Sequence, residues 1–382
     1  MDNTVLRKEF LITKNNIESY YWAFFHSNGE IDITPTVLYA QMCDDPHKKK
    51  VWERSTRDKY AEIVGMFFRT MKLFGTSIQT LSSTETQGFM QAYYMKELPF
   101  QTKTGKPTSA SRMEAVETVL VDLIDESVKF GFRELDNISF KYQEEYTSDI
   151  DPADFIYACY IPSELFEQLL KHLERKSEFE RDRDELAMRF GYEIGVRTEE
   201  LVRNNNWSMK KIKAARLKWK LGDEIEWKNL IGKGGGGGKS RDVMIKPDLV
   251  EKLFEHMDKH EEIYASSEHL YCQADGTLLG AKHGTNTFYN AKINFNNSEL
   301  NFKSFQKLRH SYATNLTLWG IKYGLPTRLV QDRLGHSDAS TTELYQEVAH
   351  LINGNVKLSE EIRMVRLDKR KNAQREKEKN NG

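Results

Sequence analysis

Apolar residues recur at three- and four-residue steps from Val51 onward. Tyr60, Ile63, Val64, Phe67, Met71 and Phe74 form one stripe and Gly75 closes it, which predicts an amphipathic helix with a glycine stop. A second helix opens at Thr84, whose spacing to Gln87 fits a capping box, and carries Phe89, Met90 and Tyr93 to about Leu98. Gln101 to Thr108 is polar, with Gly and Pro, and predicts a loop. Ser111 and Glu114 make a further capping box ahead of a helix bearing Val116, Val119, Leu120, Leu123 and Val128 up to Gly131. Residues 48–140 thus read as a small helical domain. Residues 1–47 hold an aromatic cluster (Tyr20, Tyr21, Trp22, Phe24, Phe25) and are expected to form a helical extension. Residues 141–152, polar and ending in Pro152, read as an interdomain linker.

The second half, residues 153–355, changes rhythm. Ile161 to Leu173 is a short amphipathic helix opened by Pro162 and Ser163. The run from Arg181 to Leu201 is apolar enough for a buried helix that breaks at Gly195 and restarts around Arg197. An arginine buried there must be paired or serve a ligand, and Glu200 stands at the i,i+3 position of an ordinary helix pair. Two alternating runs, Glu224 to Ile231 and Arg241 to Lys246, flank five glycines and predict a hairpin with a long tip. The GGGGGKS stretch is not a nucleotide cradle: Lys233 occupies the first glycine position of that motif, and a strand follows where a helix is required. His256 and His260 have the four-residue spacing of a zinc helix. With no glutamate after His256 and no third ligand evident, they read as surface histidines on a charged helix, and no metal site is predicted. Residues 356–382 read as a semi-apolar helix fading, beyond about 368, into a frayed charged tail.

Composition narrows the class. The chain of 382 residues is 39% hydrophobic and 30% charged, as expected of a soluble globular protein with two or three domains. No window approaches the length of an apolar membrane span, and the N-terminus lacks a signal peptide's apolar core, so the protein is expected to stay in the compartment where it is made. Cys43, Cys159 and Cys272 are scattered and imply neither disulfide framework nor metal knuckle. The net charge of −1 is not that of a simple nucleic-acid binder, so any such role must rest on local charge. One stretch supplies it: Arg203, Lys210, Lys211, Lys213, Arg216, Lys218 and Lys220 occur without an acidic residue among them, interleaved with Trp207 and Trp219. A phosphate backbone is the natural partner.

The candidate chemistry lies between Lys303 and Val348, where Arg309, His336 and Tyr345 fall along a series of short helices. A guanidinium, an imidazole and a phenol can attack a phosphodiester without a metal, provided that positive charge favours phenolate; Arg309 can supply the charge and grip phosphate oxygens. The segment LRHSYAT (308–314), the triplet LGH (334–336) and a tyrosine nine residues after that histidine resemble the catalytic end of the tyrosine recombinase, or phage integrase, family. The resemblance implies that Arg197 in GVRTEEL is the first catalytic arginine, braced by Glu200, and Arg309 the second. It makes His336 a donor to a nonbridging oxygen and Tyr345 the nucleophile. A hairpin lysine would be the general acid, Lys233 by its place at the end of the first strand, with Lys239 as the alternative. Gln306 stands where the family most often has histidine; it can donate a hydrogen bond but cannot be a base. His310 reads as a scaffold histidine.

The resemblance also implies a mainly α fold with a small antiparallel β-sheet, an α+β catalytic domain preceded by a helical core-binding domain, together a C-shaped DNA clamp. It implies a site-specific recombinase that cuts and rejoins double-stranded DNA as a homo-tetramer, through a 3′-phosphotyrosyl intermediate and a Holliday junction, with no cofactor. A nucleoid-associated, cytoplasmic protein of bacterial, phage or mobile-element origin is expected. The alternatives are a type IB topoisomerase-like relaxing enzyme and a catalytically weakened DNA-binding relative.

Overall fold

The computed structural model describes residues 6–14, 17–44, 52, 54–99, 101–102, 107–134, 138–142, 151–203, 205–232, 240–301, 303–334 and 339–380. The chain divides into two units, Met1–Asp149 and Ile150–Gly382.

The first unit opens with strands β1 (Leu6–Lys14) and β2 (Ile17–Phe25), paired antiparallel from Leu6↔Phe25 to Lys14↔Ile17. The expected helical extension is therefore a β-hairpin followed by a helix, α1 (Ile33–Asp44). The run of aromatics ending at Phe25 is strand-forming, since such side chains fit a pleated surface. Three longer helices follow: α2 (Arg54–Leu73), α3 (Ser83–Met95) and α4 (Ala110–Lys129). Phe24, Tyr39, Phe67, Phe89 and Leu120 lie in their shared core. The capping box of α3 is Ser82 with Glu85, two residues ahead of the expected Thr84 and Gln87, and the two residues exchange backbone-to-side-chain bonds of 2.8 and 3.3 Å. Helix α4 starts one residue before Ser111 and makes no side-chain cap bond, so the expected second box is not used.

The second unit runs α5 (Pro152–Cys159), α6 (Ser163–Leu170), α7 (Glu178–Glu193), α8 (Thr198–Val202) and α9 (Met209–Arg216). The hairpin β3 (Ile225–Ile231) and β4 (Ser240–Ile245) comes next. Seven helices complete the unit: α10 (Pro247–Lys259), α11 (Glu261–Ser266), α12 (His283–Phe295), α13 (Phe305–Tyr323), α14 (Thr327–Leu334), α15 (Ala339–Ile352) and α16 (Val356–Asn380). The unit is thus helical around one two-stranded sheet, as expected of the α+β fold. No described helix is long and apolar enough to cross a membrane. Helix α16 does not fade near residue 368 but continues to Asn380, because Lys, Arg, Glu and Gln are good helix formers and opposite charges recur at helical spacing.

Two apolar clusters organise this unit. The larger joins α6, α7, β3, β4, α10 and the start of α13, with Phe166, Phe190, Trp207, Leu253 and Phe305 among its buried side chains. The smaller gathers Ile156 of α5, Tyr312 of α13, Leu334 of α14, and Tyr345 and Val348 of α15. His256 belongs to neither surface nor loop: it is buried, so the expectation of two surface histidines fails for it. It lies three residues after Leu253 and seven after Leu249, on the face of α10 that enters the core.

Candidate active site

Helix α7 ends at Gly195, which has φ of +68° and lies against Tyr312 so closely that a Cβ there would come within 2.4 Å of the ring. Only glycine meets both demands. The turn sets Arg197 at the start of α8, where its backbone N–H donates to Glu200 Oε2 at 2.9 Å and its guanidinium to Glu200 Oε1 at 2.8 Å. Glu200 is 2% exposed, while the Arg197 side chain stays partly open.

A second arginine closes on Glu200 from the hairpin. The register of β3 and β4 slips between Trp227 and Leu230, at Asn229 with φ of +56°, so that Leu230 and its partner Arg241 both face inward. Arg241 donates to both carboxylate oxygens of Glu200, at 2.8 and 2.7 Å, and to the Gly195 carbonyl at 3.1 Å. Burial alone would raise the Glu200 carboxyl; the hydrogen bonds and charge of Arg241, with Arg197, outweigh it and hold the pKa down at about 2. Asn206 ties the hairpin to the same place, donating to the carbonyls of Glu200 and Ile231 and accepting from the Ile231 N–H at 2.9 Å. Trp207 is buried and donates its indole N–H to the Glu200 carbonyl. It therefore braces the backbone at Glu200 and is not part of an exposed aromatic surface.

Arg309 enters from α13, 5% exposed. It donates to the Gly195 carbonyl at 2.6 Å and to the Leu334 carbonyl at the end of α14. Burial, then the like charges of Arg241 and Arg197, pull its pKa down to about 9, against the opposing pull of Glu200. It remains a cation at neutral pH. Two guanidiniums bond the Glu200 carboxylate and a third, Arg309, lies within its electrostatic reach, an excess of positive charge that an anion would relieve.

Tyr345 lies in the middle of α15, 4% exposed. Burial pushes its phenol up to about 12, although Arg309 and Arg197 draw it the other way. The phenolic oxygen is 2.8 Å from His310 Nδ1, with the two rings 6.1 Å apart. His310 is thus in contact with the phenol, beyond the scaffold role expected of it. Gln306 is exposed on the first turn of α13. Of the predicted set, Arg197, Arg309 and Tyr345 are brought together; Lys233, Lys239 and His336 lie outside the described residues.

The basic stretch also sorts itself. Lys210, Lys211, Lys213, Lys218 and Lys220 are exposed on and after α9. Arg203 pairs with Glu199 at 3.3 Å, and Arg216 pairs with Asp258 at 2.8 Å while lying over the rings of Trp219 and Phe254.

Arg241, Asn206 and His310 are the site residues that sequence reasoning passed over. Arg241 had a signal, since it shares the inward face of its strand with Val243 and Ile245; a charge at such a position needs a partner.

The phage integrase family profile matches residues 160–351, just over half of the chain. The chain belongs to the phage integrase family. Among its relatives, the tyrosine recombinase XerA of Thermococcus kodakarensis is 27% identical over 170 residues, 44% of this chain and 52% of that protein. The tyrosine recombinase XerD of Pasteurella multocida is 26% identical over 224 residues, 55% of this chain and 67% of that one. The chain spans about half the length of the first of these relatives. Three solved structures share the family fold. XerH recombinase bound to palindromic difH substrate, in a post-cleavage complex, aligns with a TM-score of 0.57 and 18% identity over 85% of this chain and 94% of its own. The Tn1549 transposon integrase with circular intermediate DNA gives 0.54 and 13% identity over 81% and 94%. A lambda integrase dimer bound to a COC′ core site gives 0.51 and 14% over 81% and 94%.

Proposed function

We propose that the protein is a site-specific DNA recombinase that cuts and rejoins DNA through a covalent link to Tyr345. The observation that carries the reading is the three-to-one excess of Arg197, Arg241 and Arg309 over Glu200 beside a buried phenol. Such a site takes an oxyanion, and a phosphodiester is the oxyanion that a phenol can attack.

The Tyr345 oxygen forms a bond to phosphorus as the bond from phosphorus to the 5′ oxygen breaks, leaving a 3′-phosphotyrosyl link and a free 5′-hydroxyl. His310 Nδ1, in the tautomer that presents its lone pair, accepts the phenolic proton. This takes over the role of base that Gln306 cannot fill. Arg197 and Arg309 stabilise the charge that builds on the nonbridging oxygens, and His336 and Gln306 add neutral donors. Arg241 acts through Glu200, as a positioning residue. A lysine of the hairpin tip, Lys233 or Lys239, returns a proton to the 5′ oxygen. The exposed lysines of α9 and the loop after it track the phosphate backbone. Strand exchange requires two cut sites and hence a homo-tetramer, with a Holliday junction between the two rounds of transfer.

Wild-type protein incubated with a nicked duplex carrying its site should form a covalent adduct stable to denaturant. Tyr345→Phe should bind the same duplex and form none. An adduct in Tyr345→Phe would overturn the assignment, and relaxation of plasmid lacking the site by the wild type would favour a topoisomerase.

A further inference from the structure

Away from the arginine cluster, helix α7 packs against the C-terminal end of α10, and three ligand-type side chains converge there. His256 and His260, one helical turn apart, leave α10 on the same side, and Phe179 of α7 packs on both rings, at 5.8 and 5.2 Å between centroids. Asp182, one turn further along α7, reaches His260: its Oδ2 is 3.2 Å from His260 Nε2.

The protonation pattern of His256 can be read from its partners. Its Nε2 is 2.7 Å from the Tyr264 hydroxyl, and that hydroxyl donates to the Leu270 carbonyl at 3.0 Å. A carbonyl can only accept, so the hydroxyl makes both hydrogen bonds at once only when its proton goes to Leu270 and His256 donates from Nε2. That tautomer leaves the lone pair on Nδ1. His256 is 5% exposed, and its Nδ1 has no hydrogen-bond partner among the described residues. A buried acceptor without a partner is costly. An imidazole that donates from one nitrogen and presents the lone pair of the other is the arrangement of a metal-ligating histidine.

We propose that Asp182, His256 and His260 form a binding site for a divalent transition-metal ion, zinc being the fitting case. One ligand atom from each side chain lies within 4.8 Å of the other two. Tetrahedral bonds of about 2.0–2.2 Å set ligand atoms roughly 3.3–3.6 Å apart, so side-chain movements that bring the atoms closer by up to about 1.5 Å close the site. Two imidazoles and one carboxylate suit zinc, nickel or copper better than calcium or magnesium. The cleft beside the site is open and also lined by Glu185 and Glu255, leaving room for a water or carboxylate in the fourth position. Lys259 is the nearer of two competitors: its ammonium is 2.7 Å from Asp182 and 2.7 Å from Glu178, while Arg181 reaches the other Asp182 oxygen at 3.3 Å. An entering ion displaces Lys259 from Asp182. The ion would join α7, which leads to Gly195, to the helix that follows β4 and Arg241.

The untagged full chain, stripped with chelator and titrated with zinc chloride at neutral pH, should bind one equivalent at micromolar concentration, and cobalt should give the visible absorption of a tetrahedral complex. Because His256→Ala leaves a hole in the core, the deciding variants are His260→Ala and Asp182→Asn, checked for folding by circular dichroism. Both should lose the equivalent and the cobalt signal, and Lys259→Gln should bind several-fold more tightly. Tyr264→Phe, which frees the tautomer, should weaken binding by roughly tenfold. Absence of zinc binding at micromolar concentration by the folded wild type, or equal binding by the Asp182→Asn/His260→Ala double variant, overturns the proposal.

Discussion

The two halves of the candidate site are built on opposite terms. The arginine half is a network of charges with its partners in place: Glu200 is shared between Arg197 and Arg241, and the Gly195 carbonyl between Arg241 and Arg309. The tyrosine half is an apolar cluster, in which Tyr345 packs with Ile156, Leu334 and Val348 and meets His310 through its hydroxyl. The first half is arranged for an anion before any anion arrives. The second holds Tyr345 as a neutral phenol, pushed up to about 12 by burial. The arginines already draw on the phenol but burial outweighs them, and the proposed reaction requires that balance to reverse.

That contrast can be broken most forcefully at Glu200. Glu200→Ala leaves Arg241 buried and unpaired, which should destabilise the protein by about 3–5 kcal/mol in urea unfolding. The same pair gives the pH dependence its sign. Because the folded pKa of Glu200 is depressed from 4.5 to about 2, its stabilising contribution is full above 4.5 and is lost as pH falls through 2. Unfolding curves across that window should therefore flatten in the Glu200→Gln variant. A smaller effect is expected at the junction of the halves. In the proposed mechanism Arg309→Ala removes a donor to the phosphate and should lower the rate of covalent capture roughly 10³-fold, with DNA binding measured separately to show that it persists.

His310 sharpens the tyrosine side. His310→Ala should lower capture by roughly 10² with binding unchanged; an unchanged rate would send the phenolic proton by another route. Gln306 marks the lower limit. It is exposed, so Gln306→Ala should alter stability by less than about 0.5 kcal/mol. Capture should fall about tenfold if the amide donates to the phosphate, and an unaltered rate would remove Gln306 from the site.

The helix α7 with its break at Gly195 and the hairpin after α9 were legible along the chain, because each has a local cause: periodicity, a glycine at positive φ, alternation about a turn. For Tyr345 the chain gave a place on or just before a helix, and it lies inside α15. What was not legible depends on partners distant in sequence. The strand pattern shows that Arg241 needs a partner, but only the fold shows that the partner is Glu200, 41 positions away. The Asp182 side chain supplies the third group beside His256 and His260 from a different helix, 78 positions before His260. The opening hairpin was hidden for another reason, since an aromatic-rich run serves a buried helix as well as a strand, and only the pairing of β1 with β2 decides between them.

Helix α16 gives Tyr345 a mechanical setting. Arg366 bonds both Asp151 at the head of α5 and Glu347 of α15, and Arg363 bonds Glu347 and Asp154. The beginning and the end of the unit are thereby clasped at a point two residues from Tyr345. Tension applied to the C-terminus, whether from a partner or from a tether, loads this clasp before it reaches the main core, so the helix that carries the phenol is the first part of the unit to feel the pull.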